Sequence, residues 1–389
     1  MQRRRFLSNL GAGALIAGCP GLTLASAATD RRFVLVILRG AMDGLAAVPP
    51  YGDPYYKRQR GELALPRPGE TGGALDLDGF FGLHPALQHC HALYRSGELA
   101  PLHAVASPYR ERSHFDGQDV LENGTASPSG ARDGWLNRML TRPEDAIGLG
   151  QTVPLVLRGV QRVPSWAPSR LPDTDAATLE RIAWLYDQDE FFASRFQQAL
   201  AIDAVTDMGP MQGDVRGGRG LLTALAKAAG RFLAEPDGPR LAVLEYAGWD
   251  THANQGAVTG PLATRLGFVD EGLKILQTSL GSSWRDTVVL AVTEFGRTAA
   301  INGTRGTDHG TGACALLAGG AVNGGRVIAD WPGLASRDLF EGRDLRPTVD
   351  LRAVFKGVLG DHLGLSRSAL DTAVFPGSAE VPAVRDLIA

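Results

Sequence analysis

The chain has 389 residues, 44% hydrophobic and 21% charged, with 49 glycines and 23 prolines scattered without repeat. That composition supports one large core or two smaller ones and excludes a fibrous or low-complexity chain. The formal net charge is −3 and no basic run follows the extreme N-terminus, so the basic face that nucleic-acid binding needs is absent.

In chain order, "QRRRFLS" (2–8) places arginines before Phe6-Leu7 and is followed by the weakly apolar "NLGAGALIAG". This is the pattern of a twin-arginine export signal, with a small-residue cleavage site at Ala25-Ser26-Ala27. The expectation is a leader over 1–27 and a periplasmic or exported mature chain from 28. The apolar stretch falls short of the ~20 residues that span a bilayer, and no later stretch qualifies, so no transmembrane segment is expected in the mature chain. "IAGC" (16–19) also reads as a lipobox, which makes a lipid anchor at Cys19 the weaker alternative. Beyond the leader only Cys90 and Cys314 remain. Two cysteines make no disulfide framework, and buried free thiols are expected, although an oxidising compartment would permit a bond.

"RFVLVILRG" (32–40) is a continuous apolar run, as a strand buried on both faces reads. "HPALQHCHALYRSGE" (84–98) has helical spacing, and "LAPLHAVAS" (99–107) reads as a second strand. Helical patterns follow at 115–123, 133–141, 176–201 and 219–234. Then come a strand at 240–248, a helix over 258–280, strands at 286–295 and 313–321, and a closing helix near 348–364. Strand alternating with helix predicts a three-layer α/β sandwich with a mostly parallel central sheet. One domain (28–389) is expected, with loop-rich insertions near 50–82 and 124–172.

In open α/β sheets, ligands bind beyond the carboxyl ends of the strands. Polar residues recur there: Arg39 and Asp43 after the first strand, and Arg110, Arg112, Ser113, His114 and Asp116 after the second. Asp250 and His252 follow the third, Glu294 and Arg297 the fourth, with Asp308–His309 shortly after. Singly, each has a structural explanation. Asp43 can cap a turn, Glu294 and Arg297 can pair locally, His252 can sit hydrogen-bonded after a tight turn, and Ser113 can be a helix N-cap. Asp308–His309 can be a polar turn before a buried strand. Jointly they form the carboxylate–imidazole set that binds Zn²⁺ or Mn²⁺. Two such ions would stabilise both oxygens of a displacement at phosphorus or sulfur. A serine at a helix start beside arginines suits a nucleophile and an oxyanion. His84, His89, His91, His103 and His362 read as packing or surface residues.

The leader, "LRGAMDGL", "YGDPYY", "FGLHPAL", "RSHFDGQD", "DGWLNR", "WDTHANQG", "TEFGRT", "GTDHGTGA" and "GGRVIADWPGL" together resemble the bacterial family known as domain of unknown function 1501, over about residues 33–364. The resemblance implies an alkaline-phosphatase-like fold, with metals at the strand ends. By position, Asp43 is similar to that superfamily's first ligand aspartate and Ser113 to its nucleophile. Asp250 and His252 look like its Asp…His ligands, and His309, with Asp308 as partner, looks like its last ligand histidine.

Two departures stand out. Glu294–Phe295 replaces the usual Asp–His, so the second metal position is incomplete, filled by His114, or lost. "SPYRER" also lacks the sulfatase Cys/Ser-x-Pro-x-Arg order. The expected ligands are therefore Asp43, Asp250, His252, Glu294, Asp308 and His309, holding one or two divalent ions, Zn or Mn. Ser113 is the expected nucleophile, and Arg39, Arg110, Arg112, His114 and Arg297 the substrate contacts. The expected activity is metal-dependent hydrolysis of a small-molecule phosphate or related ester. The alternative is a non-catalytic envelope protein of this fold that binds a ligand or partner protein.

Overall fold

The computed structural model describes residues 30–168, 175–206 and 218–389; the expected leader, its cleavage site and Cys19 lie outside them. The first apolar run forms β1 (Arg32–Arg39), whose side chains alternate between two cores. Val34 and Leu38 pack on one face of the sheet, and Phe33, Leu35 and Ile37 on the other. Both faces must be apolar, which is why the run shows no polar alternation.

Seven further strands complete the main sheet: β2 (Leu99–Ala106), β3 (Ala146–Leu149), β4 (Ser165–Trp166), β5 (Leu241–Ala247), β6 (Thr287–Val292), β7 (Ala313–Ala318) and β8 (Val349–Asp350). Their order is β8-β2-β7-β6-β1-β5-β3-β4. Every pairing is parallel except those that β7 makes with β2 and β6. The start of β7 therefore lies at the edge where its neighbours end.

Helices cover both faces. On one lie α1 (Gln88–Arg95), α5 (Gly218–Ala234) and α6 (Pro261–Leu280), whose apolar stripes join Val34, Leu244 and Leu316 in a single core. On the other, α7 (Leu351–Asp361) packs Val354, Phe355 and Val358 against Phe33, Leu290 and Leu317, with Leu121 of α2 (His114–Asn123) in the same core. The expected three-layer α/β sandwich is the observed one. Cys90 and Cys314 are buried in the first core as free thiols. Among the described residues no helix is long and apolar enough to cross a membrane.

Local differences from the expected elements have local causes. The helix read over 176–201 is two, α3 (Ala176–Tyr186) and α4 (Glu190–Thr206), because Asp189 accepts the Phe191 amide at 3.0 Å and starts a new helix. The pattern at 133–141 yields a single turn, Trp135–Arg138. The loop-rich stretch 124–172 contains β3 and β4. "AIGL" is buried at all four positions, and so short an apolar run carries no period to read.

His84, His103 and His362 are core residues, no more than 1% exposed. His103 Nδ1 accepts the Ala104 amide at 2.8 Å and Nε2 donates to the Val48 carbonyl at 3.0 Å, which fixes a neutral imidazole. Burial pushes His103 and His362 down from 6.5 to about 4. The unfolded chain takes up these protons near pH 6.5 while the native state does not, so stability falls as pH drops from about 6.5 to about 4. Each residue accounts for roughly 3 kcal/mol across that window. Urea unfolding at pH 7, 5.5 and 4.5 should show this slope, and His362→Asn should reduce it; an unaltered slope in the variant contradicts the assignment.

Candidate metal centre

Loops from several strands reach one edge of the sheet. After β1, Gly40 has φ 116°, and a Cβ there would lie 2.8 Å from the Asp250 nitrogen, so only glycine lets the two strand ends meet. The loop after β5 carries Asp250 and His252, and the loop after β6 carries Glu294 and Arg297. The approach to β7 brings Asp308 and His309 back to the same edge. The last two loops pack backbone to backbone, with the Gly310 amide donating to the Gly296 carbonyl at 2.8 Å. A Cβ on Gly310 would sit 2.4 Å from the Arg297 carbonyl carbon. Helix α2 starts beside them, with Ser113 at its N-cap and His114 as its first residue.

Three imidazoles are held from behind. His114 Nδ1 donates to Glu294 Oε1 at 2.8 Å, His252 Nδ1 to Asp308 Oδ1 at 3.2 Å, and His309 Nδ1 to the Arg112 carbonyl at 2.9 Å. Each partner is an acceptor, so each Nδ1 carries a proton, and in the neutral ring Nε2 presents a lone pair. The Nε2 atoms of His114, His252 and His309 lie 3.4, 3.0 and 3.2 Å from Asp250 Oδ1. Those of His252 and His309 are 2.9 Å apart. His114 Nε2 is buried without a hydrogen-bond partner. Lone pairs and a carboxylate oxygen converging on one point repel unless a cation lies among them. A divalent metal therefore fits this donor set, whose orientation by outer hydrogen bonds is typical of metal-binding histidines. Among the described residues, His114, Asp250 and His309 bring donor atoms within 4.8 Å of one another; His252 adjoins them.

Burial raises the Asp250 carboxyl, but the hydrogen bond and charge of Arg297, 2.6 Å away, outweigh it and hold it below the ordinary range. Its bond to Glu294 raises His114, whereas burial and then the charge of His114 lower His309. Glu294 also ends low, because bonds from His114, Gln118 and the Gly40 amide outweigh its burial.

The profile of the family described as "Protein of unknown function (DUF1501)" matches residues 102–374. The chain belongs to this family. No curated protein matches the chain. Among solved structures, the lipoteichoic acid synthase LtaP from Listeria monocytogenes aligns over 91% of this chain and 78% of its own, at 10% identity and a TM-score of 0.39. The zinc complex of the C-terminal periplasmic domain of EcEptC from Escherichia coli aligns over 90% and 88%, at 10% identity and 0.39. The phosphonate monoester hydrolase of Agrobacterium radiobacter aligns over 86% and 74%, at 15% identity and 0.35. Likenesses this remote carry no argument about chemistry, which rests on the side chains.

In this DUF1501 chain the expected residues divide into three groups. His114, Asp250, His252 and His309 converge, with Arg297 and Ser113 beside them. Glu294 and Asp308 were expected as ligands but stand behind His114 and His252 as hydrogen-bond acceptors. Glu294 is fully buried, and its oxygens also take the Gly40 amide, Gln118 and Thr293. Asp43, also expected as a ligand, is engaged elsewhere: one oxygen caps the turn Gly44–Ala47 and the other takes Arg60 and Gln255. The expected arginine cradle is likewise reassigned. Arg39 pairs with Glu122 and Glu245, Arg110 donates to the Ser107 and Tyr109 carbonyls, and Arg112 pairs with Asp344 and Glu341. His114, expected to touch substrate, faces the ligand cluster. Sequence reasoning missed Gln118 and Asn302, which hydrogen-bond Glu294 and Asp308; nothing in their local patterns marks them.

Protein purified without chelator should contain bound zinc or manganese by elemental analysis, and His309→Ala should lower both that content and the melting temperature. A native state at a hundredfold excess of ligand over Kd gains ~2.7 kcal/mol. Glu294→Gln should weaken binding by roughly 10–100-fold without removing a ligand. Unchanged metal content in His309→Ala would return Asp308–His309 to a polar turn.

Proposed function

We propose that the protein is a metal-dependent hydrolase of phosphate or related esters. The observation that carries this reading is the convergence of three imidazole Nε2 atoms on Asp250 Oδ1, each ring held by its Nδ1 proton. His114, Asp250, His252 and His309 would hold the ion, and nitrogen-rich donors with one carboxylate suit zinc better than manganese. A divalent metal bound there supplies Lewis acidity to an ester oxygen.

The chain's own residues supply the rest. Ser113 sits at the N-cap of the ten-residue α2, next to His114, and its side chain makes no capping bond. The first-turn amides of α2 have no carbonyl partner within the helix and favour negative charge developing at that serine. Arg297, with its side chain wholly buried, turns one nitrogen to Asp250 and keeps a fixed positive charge at the cluster. Asp250 and His252 are 42% and 44% exposed, so an ester can approach from solvent. Export by the twin-arginine route is part of the proposal and rests on "QRRRFLS" and Ala25-Ser26-Ala27. A ligand-binding, non-catalytic role is the second reading. It is favoured by the pairing of Arg39, Arg110 and Arg112 elsewhere and by the burial of Arg297 against Asp250 and Thr307, so each of the four expected arginines already has partners within the protein.

The deciding assay presents metal-loaded protein with a panel of phospho-, phosphono- and sulfo-esters. Turnover is expected from the wild type, and Ser113→Ala should keep metal and fold while losing that turnover. If the serine is only a cap, the change costs about 1 kcal/mol and leaves activity intact. No turnover of any ester by the loaded wild type would replace the hydrolase reading with the binding one.

A further inference from the structure

Behind the cluster lies a buried polar chain whose members beyond Arg297 the proposed chemistry does not use. Arg60 and Asp43 pair with almost no exposure, at 0% and 1% of their side chains. Gln255, also fully buried, donates from Nε2 to Asp43 Oδ2 at 2.6 Å. Its Oε1 accepts hydroxyl bonds from Thr251 and Thr307, both at 2.8 Å. Thr307 Oγ1 in turn accepts Arg297 Nε at 3.1 Å, and its carbonyl accepts another Arg297 nitrogen at 2.6 Å. Arg297 then reaches Asp250 Oδ1 at 2.6 Å.

Donor meets acceptor at every step, and the direction is set. Carboxylate Asp43 can only accept, so the Gln255 amide nitrogen must face it and the amide oxygen must face the hydroxyls. With its oxygen engaged by two hydroxyls, Gln255 holds Thr307 in one rotamer. Thr307 holds the guanidinium of Arg297 in one plane, and that plane decides where Asp250 Oδ1 stands among the imidazoles.

The same chain also accounts for charge. Asp43 is the carboxylate that follows β1, and the Arg60 guanidinium already pairs with it where neither side chain is exposed by more than 1%. Displacing Arg60 would strand a buried charge, which is strongly unfavourable. Asp43 is therefore not free to serve a second divalent ion.

We infer that Arg60 and Arg297 are the built-in cations of this site, joined by a strut of Asp43, Gln255 and Thr307 that positions Asp250, and that the chain takes one divalent ion. This rests on the metal-centre reading above. Thr307 and Gln255 are positioning residues: they touch neither ion nor substrate.

The test uses the full chain, stripped with chelator and titrated with Zn²⁺, then with Co²⁺ as a spectroscopic probe. One zinc per wild-type chain is expected. Two ions per wild-type chain overturn the inference while leaving a metal centre in place. No zinc in the wild type overturns the metal-centre reading itself, and this inference with it. For the strut, Thr307→Val should weaken zinc binding about 10–100-fold and change the visible spectrum of the cobalt form. Thr307→Ser, which keeps the hydroxyl, should restore both. Wild-type affinity and spectrum in Thr307→Val overturn the positioning role. If Thr307→Val does not fold, Gln255→Leu breaks the same link and is read the same way.

Discussion

The reversed direction of β7 is the constraint on which the site depends. In a sheet of parallel strands, the residues that follow each strand collect at one edge, and those that precede each strand collect at the other. Asp308 and His309 precede their strand, so a parallel β7 would carry them away from Asp250 and Glu294. Between β6 and β2 it runs antiparallel, and its approach loop arrives where the other loops leave. The glycines at 296 and 310 let that loop pack directly on the loop after β6. A side chain at either place would hold the two backbones apart and move His309 from the cluster.

The site's second constraint is that its charges are buried in matched sets. A buried unpaired charge is expensive, whereas a paired and hydrogen-bonded one is tolerated. Glu294 is covered by His114, Gln118 and two further donors; Asp43 is covered by Arg60 and Gln255; Arg297 is shared between Asp250 and Thr307. The convergent faces of His114, His252, His309 and Asp250 are the exception. Their outward atoms are tied down while their inward atoms point at one another, an arrangement that favours a bound cation over an empty centre.

Much of the fold is legible in the pattern of residues. Continuous apolar runs mark β1, β5, β6 and β7, because a strand covered by helices on both faces admits no polar alternation. Helical spacing marks α1, α5, α6 and α7 through the stripe each must bury. Short elements escape this reading: β3 and β4 fall within a stretch rich in turn residues, and β8 occupies two residues at the mouth of α7. The site was legible as a set of residue types at strand ends, which brought His114, Asp250, His252 and His309 into view. Their division of labour was not.

By itself, the sequence determined the layers, the strands that alternate between two cores, and the gathering of acids, imidazoles and arginines at strand ends. Those follow from hydrophobic burial and periodicity, which act locally along the chain. Only the tertiary structure decided which carboxylates face the centre and which stand behind it. Glu294 is 180 residues from the His114 it holds, and Gln255 lies 212 from the Asp43 it meets. A side chain's identity fixes what it can bond; which partner reaches it depends on strand direction and loop packing, and these exist only once the sheet has formed.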